Sequence, residues 1–517
     1  MNPNDILIKT AALFPDQEIL ISPEKRLTAR ELLDRTFRLA NVLLDLGLKK
    51  GDKVGVLLTN SCQSVESFDG ITAAGMVRVP LNMRNSGREH LYILNNSEAR
   101  AVIVGEEYTK TIGSILPEAK MVTQVICVNG TPPAPMLSYE DLIAKASPED
   151  PNVEMTDEDI HRLSYTSGTT GQPKGVVQDN RAAMMSVYNV LIDGLNIQPT
   201  DVVALTSPVT HASGSMIYPH FIRGARVVIL PGFDAHLLLQ TIEKERVTTL
   251  YLVPTTIIML LNEPDLQKYD LTSLKTIRYG ASPIAPEVLK KAIAAFGNVF
   301  IQGYGLTEGS MPLTLLTKED HILDGSEKKL KRLSSVGREV TVAKVRIMGE
   351  GGNFLPPGEI GEIVAQSDQV MREYWKNPAA TAETFRGGWL HTRDMGYQDD
   401  DGYVFLVDRK DDMIVSGGFN VYPKEVEDVL YMHPAVLEAA VFGIPHEKWG
   451  ETVKAAVSLK KGMIATEEEI IDFSKKHLAG YKKPTSVDFI EELPKNQNGK
   501  ILRKDLKEPY WKERDER

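Results

Sequence analysis

The chain has few features that would place it outside the cell or in a membrane. Only two cysteines, Cys62 and Cys127, occur among its 517 residues, too few for a disulfide framework or a cysteine metal site. No long uninterrupted apolar run is present, and the first residues include acidic ones without an apolar signal segment. We therefore expect a cytoplasmic protein with no transmembrane segment.

Positive charge is also in deficit. Lys and Arg number 59 against 70 Asp and Glu, a formal net charge of −11, which is the wrong sign for general binding to nucleic acid. Hydrophobic residues make up 42% of the chain and charged residues 25%, the composition of a well-packed globular protein. Since domains commonly hold roughly 100–200 residues, the length predicts more than one domain. The oligomeric state stays open between monomer and homodimer.

Short apolar runs alternate with helical patterns over the first three hundred or so residues. One segment, 27–52, has apolar residues at helical spacing and ends in a glycine turn. This alternation predicts an α/β fold of layered subdomains with much parallel sheet. The predicted strands include 53–58, 99–105, 224–230 and 248–254.

The pattern changes from about residue 340, where glycine-rich, hairpin-like segments predict a β-rich subdomain. A polar segment near 408–411 is followed by a smaller α+β unit. We therefore predict a large N-terminal domain over residues 1–408 and a small, mobile C-terminal domain over 409–517.

The strongest local signal is SYTSGTTGQPKG at 164–175. Eight of the ten residues from Thr166 to Gly175 are Gly, Ser, Thr or Lys, and backbone N–H groups and hydroxyls at this density converge on phosphate oxygens. Lys174 adds positive charge. The segment 164–175 is not a Walker A loop, because no Ser or Thr follows its lysine. The segment predicts a phosphate-binding loop.

Four more motifs follow in order: GYGLTE at 303–308, GWLHTRD at 388–394, DRKDDMIVSGGFNVYPKEVE at 408–427 and PKNQNGK at 494–500. With the phosphate loop, they resemble the signatures of the adenylate-forming enzymes, which include acyl-CoA synthetases, luciferases and the adenylation domains of peptide synthetases. The resemblance extends over nearly the whole chain.

This resemblance implies a set of residues that bind ATP or AMP. Tyr304 would lie against adenine, Thr307 would contact phosphate, and Asp394 and Arg409 would bind ribose or phosphate. Glu308, with Thr170, would hold Mg²⁺, which prefers one or two carboxylates plus phosphate oxygens. The remaining nucleotide-binding residues implied are Thr166, Ser167, Gly168, Thr169, Thr170, Gly171, Lys174, Gly280, Ala281, Ser282, Gly303, Gly305 and Lys500.

Lys500 is the main catalytic candidate. It lies in a flexible turn, and its ammonium would offset the charge that develops when a carboxylate approaches an α-phosphate. The resemblance implies supporting catalytic roles for Thr307 and Glu308. It also implies that Asp411 is the hinge about which the small domain rotates between two half-reactions.

The CoA and acyl sites are less well marked. Ser416, Gly417 and Gly418 either approach the pantetheine arm of CoA or form an ordinary β-turn. His211 lies where related synthetases often have an aromatic residue or histidine near the carboxylate, and a structural role is equally open. No Arg or Lys occurs at 210–221, which favours a monocarboxylic acid with an apolar body.

Two positions depart from the usual family pattern: Asn180 replaces a frequent histidine, and Arg393 replaces a glycine. The sequence as a whole predicts an AMP-forming acyl-CoA synthetase that uses ATP, Mg²⁺ and coenzyme A to activate a fatty, alicyclic or aromatic acid. A stand-alone ligase that loads a carrier protein, a luciferase-like oxygenase and a non-catalytic nucleotide-binding relative are the alternatives.

Overall fold

The computed structural model describes residues 2–166, 172–409, 412–416, 419–446, 449–496 and 499–515. No helix in these ranges is both long enough and apolar enough to cross a membrane. The helices are α1 Pro3–Leu13, α2 Ala29–Asp45, α3 Cys62–Ala73, α4 Gly87–Ser97, α5 Thr109–Ile115, α6 Tyr139–Lys145, α7 Asn180–Asn189, α8 Ile217–Phe221, α9 Ala235–Glu245, α10 Pro254–Leu261, α11 Pro286–Phe296, α12 Glu327–Lys331, α13 Pro378–Thr384, α14 Pro423–Leu430, α15 Glu467–Lys475 and α16 Arg503–Asp515.

The strands alternate with these helices in the first half of the chain and cluster together later. They are β1 Glu18–Ile21, β2 Arg26–Thr28, β3 Lys53–Leu57, β4 Val77–Pro80, β5 Ala99–Gly105, β6 Gln124–Val128, β7 Leu137–Ser138, β8 Ile160–Thr166, β9 Lys174–Asp179, β10 Val202–Leu205, β11 Arg226–Ile229, β12 Thr249–Leu252, β13 Thr276–Gly280, β14 Phe300–Leu306, β15 Ser310–Leu316, β16 Arg338–Glu339, β17 Ala343–Met348, β18 Gly361–Ser367, β19 Glu373–Tyr374, β20 Phe385–Arg386, β21 Trp389–Gln398, β22 Val404–Arg409, β23 Ile414–Ser416, β24 Phe419–Val421, β25 Val436–His446, β26 Gly450–Leu459 and β27 Ser486–Phe489.

Two large sheets form the first part of the molecule. Sheet 1 has the order β16-β15-β14-β13-β12-β10-β11-β1-β2, and its central strands are parallel. Sheet 2 has the order β19-β9-β8-β4-β3-β5-β6-β7, also with a parallel centre. Helices cover such parallel strands, which is why the strands are apolar along their length. The predicted α/β fold is confirmed.

Two smaller sheets follow. Sheet 3 is antiparallel, with β17-β18-β21-β20 in order and β22 paired to β21. Sheet 4, with the order β24-β23-β26-β25 and β27 parallel to β26, carries α14 and α15. The predicted β-rich part and the smaller α+β unit are therefore present. The predicted boundary at 408 and 409 coincides with the end of β22 and stays a prediction.

Helix α2 shows how the local sequence sets these elements. Thr28 caps its N-terminus, and Glu31 bonds back to the backbone N–H of Thr28 in a capping box. Leu32, Leu39 and Leu43 repeat at helical spacing and are buried in the core that α2 shares with α3. The predicted helix within 27–52 is confirmed.

Candidate active site

One cavity of about 1320 Å³ collects most of the predicted site residues. Its wall includes the ends of β13 and β14, the hairpin of β8 and β9, strands β21 and β22, and the segment around Lys500. The carboxyl ends of parallel strands are where open α/β sheets bind ligands. Predicted residues in this lining are Thr166, Lys174, His211, Gly280, Ala281, Ser282, Gly303, Tyr304, Gly305, Thr307, Glu308, Asp394, Arg409 and Lys500.

Glycine is required where β13 and β14 form this wall. Gly280 pairs with Gly303 across the two strands, and a Cβ on Gly280 would lie 2.4 Å from the Gly303 carbonyl oxygen. A Cβ on Gly305 would lie 2.3 Å from the Ser310 carbonyl oxygen. The missing side chains let the two backbones approach each other and leave a flat surface that a planar ring can contact.

Tyr304, Asp394 and Arg409 form a connected group on one side of the cavity. The Tyr304 hydroxyl donates to Asp394 Oδ2 at 2.7 Å, and Arg409 Nε lies 3.2 Å from Asp394 Oδ1. Asp394 and Arg409 are opposite each other in the register of β21 and β22. This arrangement orients the carboxylate and a guanidinium together, as a site for ribose hydroxyls and phosphate needs.

Glu308 and Lys174 are linked through Tyr374, which the sequence motifs did not indicate. The Tyr374 hydroxyl donates to Glu308 Oε1 at 2.7 Å. Lys174 Nζ lies 5.1 Å from the centre of the Tyr374 ring, within cation–π range. Burial and the neighbouring Glu308 carboxylate raise the pKa of Tyr374 well above its ordinary value. Tyr374 thus joins the predicted metal-binding carboxylate to the lysine of the phosphate loop.

Lys500 reaches the same cavity from the far end of the chain. Gly499, just before it, has φ +71, and a Cβ there would lie 2.5 Å from Thr255 Oγ1 in α10. Arg84 Nη1 donates to the carbonyl oxygens of Lys495 at 3.0 Å and Asn496 at 3.1 Å. These contacts fix the Lys500 turn against the large sheets.

Burial, followed by the positive charge of Arg409, lowers the pKa of Lys500 from 10.5 to about 8. Asp394 opposes this shift. A lysine so placed stays mostly charged near neutral pH and loses its proton above pH 8. Its ammonium is therefore available beside the nucleotide residues.

Arg503 holds the end of β22 to the segment that carries Lys500. It makes a bidentate pair with Glu427, at 3.0 and 2.7 Å. Its Nη1 also lies 3.2 Å from Asp408 and 3.1 Å from Asp412, the acidic residues on either side of the predicted hinge. A guanidinium shared by three carboxylates favours this one arrangement of the C-terminal unit against the end of the N-terminal unit.

His211 lines the cavity with its Nδ1 2.7 Å from Thr210 Oγ1. Burial and the nearby positive charge of Arg162 lower the pKa of His211 to about 4, so the imidazole is neutral at neutral pH.

The two positions that depart from the family pattern have different surroundings. Asn180 does not line the cavity, and its side-chain amide donates to the Thr156 carbonyl at 2.9 Å. Arg393 adopts the left-handed φ of +63 that a glycine takes easily.

One predicted residue lies outside this cavity, and eight others cannot be placed. Ser416 lies in β23 of sheet 4, outside the cavity lining. The others fall outside the described residues: Ser167, Gly168, Thr169, Thr170, Gly171, Asp411, Gly417 and Gly418. The hinge, the proposed CoA residues and the middle of the phosphate loop therefore stay predictions.

Comparison with known proteins agrees with this geometry. The profile of the AMP-binding enzymes matches residues 7–375, and that of the AMP-binding enzyme C-terminal domain matches residues 425–500. The medium/long-chain-fatty-acid–CoA ligase FadD8 of Mycobacterium tuberculosis is 33% identical over 98% of this chain and 90% of its own. A feruloyl-CoA synthase of Amycolatopsis sp. is 34% identical over 97% of this chain and 98% of its own.

Among solved structures, the anthranilate CoA ligase AuaEII in complex with anthranoyl-AMP superposes with a TM-score of 0.90. It is 30% identical, and the match covers 99% of this chain and 97% of that one. Sequence profile, relatives and architecture agree from one end of the chain to the other. The chain therefore belongs to the AMP-binding enzymes.

Proposed function

We propose that this chain is an AMP-forming acyl-CoA synthetase. In the first step, a carboxylate oxygen of the acid attacks the α-phosphorus of ATP, and pyrophosphate leaves. In the second, the CoA sulfur attacks the acyl carbon of the acyl-AMP, AMP leaves, and the thiol proton passes to solvent. AMP is a better leaving group than hydroxide, so the mixed anhydride divides one difficult step into two easier ones.

The observation that carries the proposal is the position of Lys500. Its ammonium shares one cavity with Asp394 and Arg409, and both side chains act on its pKa. Two anionic groups, the acid and the α-phosphate, must meet in the first step, and a positioned cation stabilises the charge that builds there. This arrangement supports acyl-AMP formation as the reaction of the conformation described here.

Glu308 fits a role in holding Mg²⁺ with the phosphates. Its carboxylate lines the cavity and its Oε1 is oriented by Tyr374. In the described part of the chain, no group of three acidic, histidine or cysteine side chains forms a metal site by itself. This suits Mg²⁺, which takes few protein carboxylates and relies on phosphate oxygens and water. The ion would neutralise charge on the departing pyrophosphate.

The second step needs a different use of the C-terminal unit. Lys500 and its neighbours line the cavity in this conformation, so we propose that CoA approaches after pyrophosphate has left and the C-terminal unit has rotated. We propose that Asp411 is the hinge for this rotation and that Ser416, Gly417 and Gly418 then lie near the pantetheine arm. The contacts of Arg503 with Asp408 and Asp412 support this, since they flank the proposed hinge.

The acid is proposed to be a monocarboxylate with an apolar body. Beyond His211 the cavity is lined by Val65, Phe68, Val187 and Val209, which favour aliphatic or aromatic groups. Relatives with this architecture are named for fatty acids, ferulate and anthranilate. The named acids share one carboxylate on a largely apolar skeleton.

The test is incubation with MgATP and a panel of aliphatic, alicyclic and aromatic acids, with and without CoA. Mass spectrometry then follows pyrophosphate, AMP, acyl-AMP and thioester. We expect thioester only when CoA and a suitable acid are both present. Pyrophosphate release without thioester would indicate a carrier-protein acceptor, and no turnover with any acid would contradict the proposal.

A further inference from the structure

Two arginines lie on neighbouring strands in the wall of the acyl part of the cavity. Arg78 in β4 and Arg162 in β8 are register partners in sheet 2, and both line the cavity. Arg78 is only 9% exposed, and its guanidinium lies 4.7 Å from the centre of the Phe68 ring. The sequence segment 210–221 supplies no cation to this cavity, but sheet 2 supplies two.

Neither guanidinium is saturated. Among the described residues, no carboxylate lies within ion-pair distance of Arg78 or Arg162, and the buried Nε of each has no hydrogen-bond partner. Besides its contact with the Phe68 ring, Arg78 forms a side-chain hydrogen bond with His161, whose Nε2 lies 2.5 Å from Arg78 Nη2. Arg278 is also buried with unpaired nitrogens, so what distinguishes Arg78 and Arg162 is that they lie side by side in the cavity lining. Arg162 donates no side-chain hydrogen bond to any described residue, although its side chain lines the cavity.

The surrounding charges do not balance the two cations. Asp69 is the acidic side chain that faces Arg78, and its Oδ1 already accepts from the Tyr218 hydroxyl at 2.7 Å. Burial raises the pKa of Asp69 to about 6, and burial followed by Arg78 lowers the pKa of His161 well below its usual value. The group therefore carries excess positive charge in a desolvated place, which is costly unless an acceptor enters.

This group is continuous with the acyl site. The positive charge of Arg162 acts on His211 and lowers its pKa, and Tyr218, which lines the same cavity, donates to Asp69 and interacts with the charges of both arginines. Apolar side chains of Val65 and Val209 line the same cavity. The arginines, these apolar side chains and Lys500 thus line one cavity, so the arginines are available to a part of the acid other than the carboxylate that is activated.

We propose that Arg78 and Arg162 form a second substrate-binding site, which recognises an oxygen acceptor carried at the far end of the acid's apolar body. The acceptor is a hydroxyl, carbonyl or carboxylate oxygen, because a guanidinium only donates hydrogen bonds. This inference rests on the proposed synthetase function and specifies its substrate class. The acid is thus apolar in its middle and polar at its distal end, and a distal carboxylate would replace the monocarboxylate proposed above with a dicarboxylate.

The experiment compares matched acids. Unsubstituted, ω-hydroxy and α,ω-dicarboxylic acids from hexanoate to dodecanoate, with cinnamate against 4-hydroxycinnamate, are assayed for kcat/KM of thioester formation. We expect the best oxygen-bearing acid to exceed its unsubstituted partner by about tenfold or more, the effect of a hydrogen bond to a charged group. The hydroxy and dicarboxylate arms show whether the acceptor is neutral or anionic.

The variants are Arg78→Met and Arg162→Met, which keep the side-chain volume and remove the donors. Each methionine variant should lower the ratio of kcat/KM between the oxygen-bearing acid and its unsubstituted partner towards one. Arg162→Lys should retain part of this preference. The matched control is Arg278→Met, because Arg278 is also buried without a carboxylate partner but contacts Met216 Sδ and does not line the cavity. Its ratio should equal that of the unchanged protein.

A second measurement does not depend on turnover. Thermal unfolding with the preferred oxygen-bearing acid alone should raise the Tm of the unchanged protein and raise it much less in Arg162→Met. Turnover without preference for oxygen-bearing acids, or a preference that survives both methionine variants, would overturn the second site. Absence of acyl-AMP and thioester with every acid would instead overturn the synthetase proposal.

Discussion

The hydroxyl of Tyr374 donates a 2.7 Å hydrogen bond to Oε1 of Glu308, across 66 residues of sequence. Glu308 follows β14 of sheet 1, and Tyr374 lies in β19 at the edge of sheet 2. One hydrogen bond therefore connects the two large sheets at the point where the triphosphate is proposed to bind. The bond orients the carboxylate of Glu308, which lines the cavity.

Removing the Tyr374 hydroxyl should raise the concentrations of MgATP and Mg²⁺ that the reaction needs. We expect Tyr374→Phe to raise the KM for MgATP and the Mg²⁺ concentration needed for half-maximal rate, each by roughly tenfold, as for a lost hydrogen bond to a charged group. The KM for the acid should change less. The measurement is ATP–pyrophosphate exchange at varied Mg²⁺. Tyr397→Phe, in the ring stack with Phe405, is the control, and an equal effect there would refute the positioning role.

Gly499 should be needed for the first half-reaction. Gly499→Ala introduces a Cβ against Thr255 and strains a left-handed φ, so the Lys500 turn must move away from the nucleotide. We expect acyl-AMP formation to fall by about a hundredfold, the usual effect of misplacing a catalytic group by about 1 Å. Thioester formation from supplied acyl-AMP should change far less.

The control for that variant is Gly462→Ala. Gly462 has φ +79, and a Cβ added there would have no atom within 4 Å. Alanine at this position therefore imposes the same backbone strain in the same C-terminal unit without displacing Lys500. Comparable loss of adenylation in both variants would show that general destabilisation, not the position of Lys500, is responsible.

The first half-reaction, acyl-AMP formation, should become slower at alkaline pH. The pKa of Lys500 is lowered to about 8, and the protonated form is the one that stabilises the transition state. The kcat/KM of adenylation should therefore be level below pH 8 on this account and decline about tenfold per pH unit above it. Lys500→Arg keeps its charge and should lose this decline. The same decline in the arginine variant would assign it to another group.

Arg393 is strained in the place where the family commonly has glycine. Its φ of +63 is left-handed, and its ion pair with Glu383 is exposed. We expect Arg393→Gly to raise the free energy of unfolding by up to about 1 kcal/mol, measured by urea denaturation. The comparison is Arg386→Gly in β20, where φ is not positive, and this variant should lower the free energy of unfolding. Destabilisation by Arg393→Gly would show that its side-chain contacts outweigh the strain.

Most of the residues of the candidate nucleotide site that line the cavity lie in local motifs, which is why the sequence indicates them. Gly303, Tyr304, Thr307 and Glu308 belong to one strand and the turn after it, so their sequence order already places them together. The apolar periods of 53–58 and 99–105 likewise predicted strands that the structure contains. In such segments local pattern and final position agree.

The remaining residues could not be found this way, because their partners are distant in the chain. Tyr374 belongs to none of the motifs, and only the pairing of β19 with β9 brings this buried side chain to Glu308. Arg162 belongs to none of the motifs, although a charged residue within a strand of an α/β sheet is itself a signal. The link of Arg503 to Asp408 depends on how the two units meet, which no local pattern encodes.

The most direct test of the account is the effect of Lys500→Ala on the two half-reactions, measured separately. Acyl-AMP formation is followed by pyrophosphate release with MgATP and the best acid, and thioester formation by supplying acyl-AMP and CoA. The account predicts a loss of about a hundredfold or more in the first, as when a transition-state stabilising group is removed, and little change in the second. Equal loss in both, or no loss in the first, would contradict it.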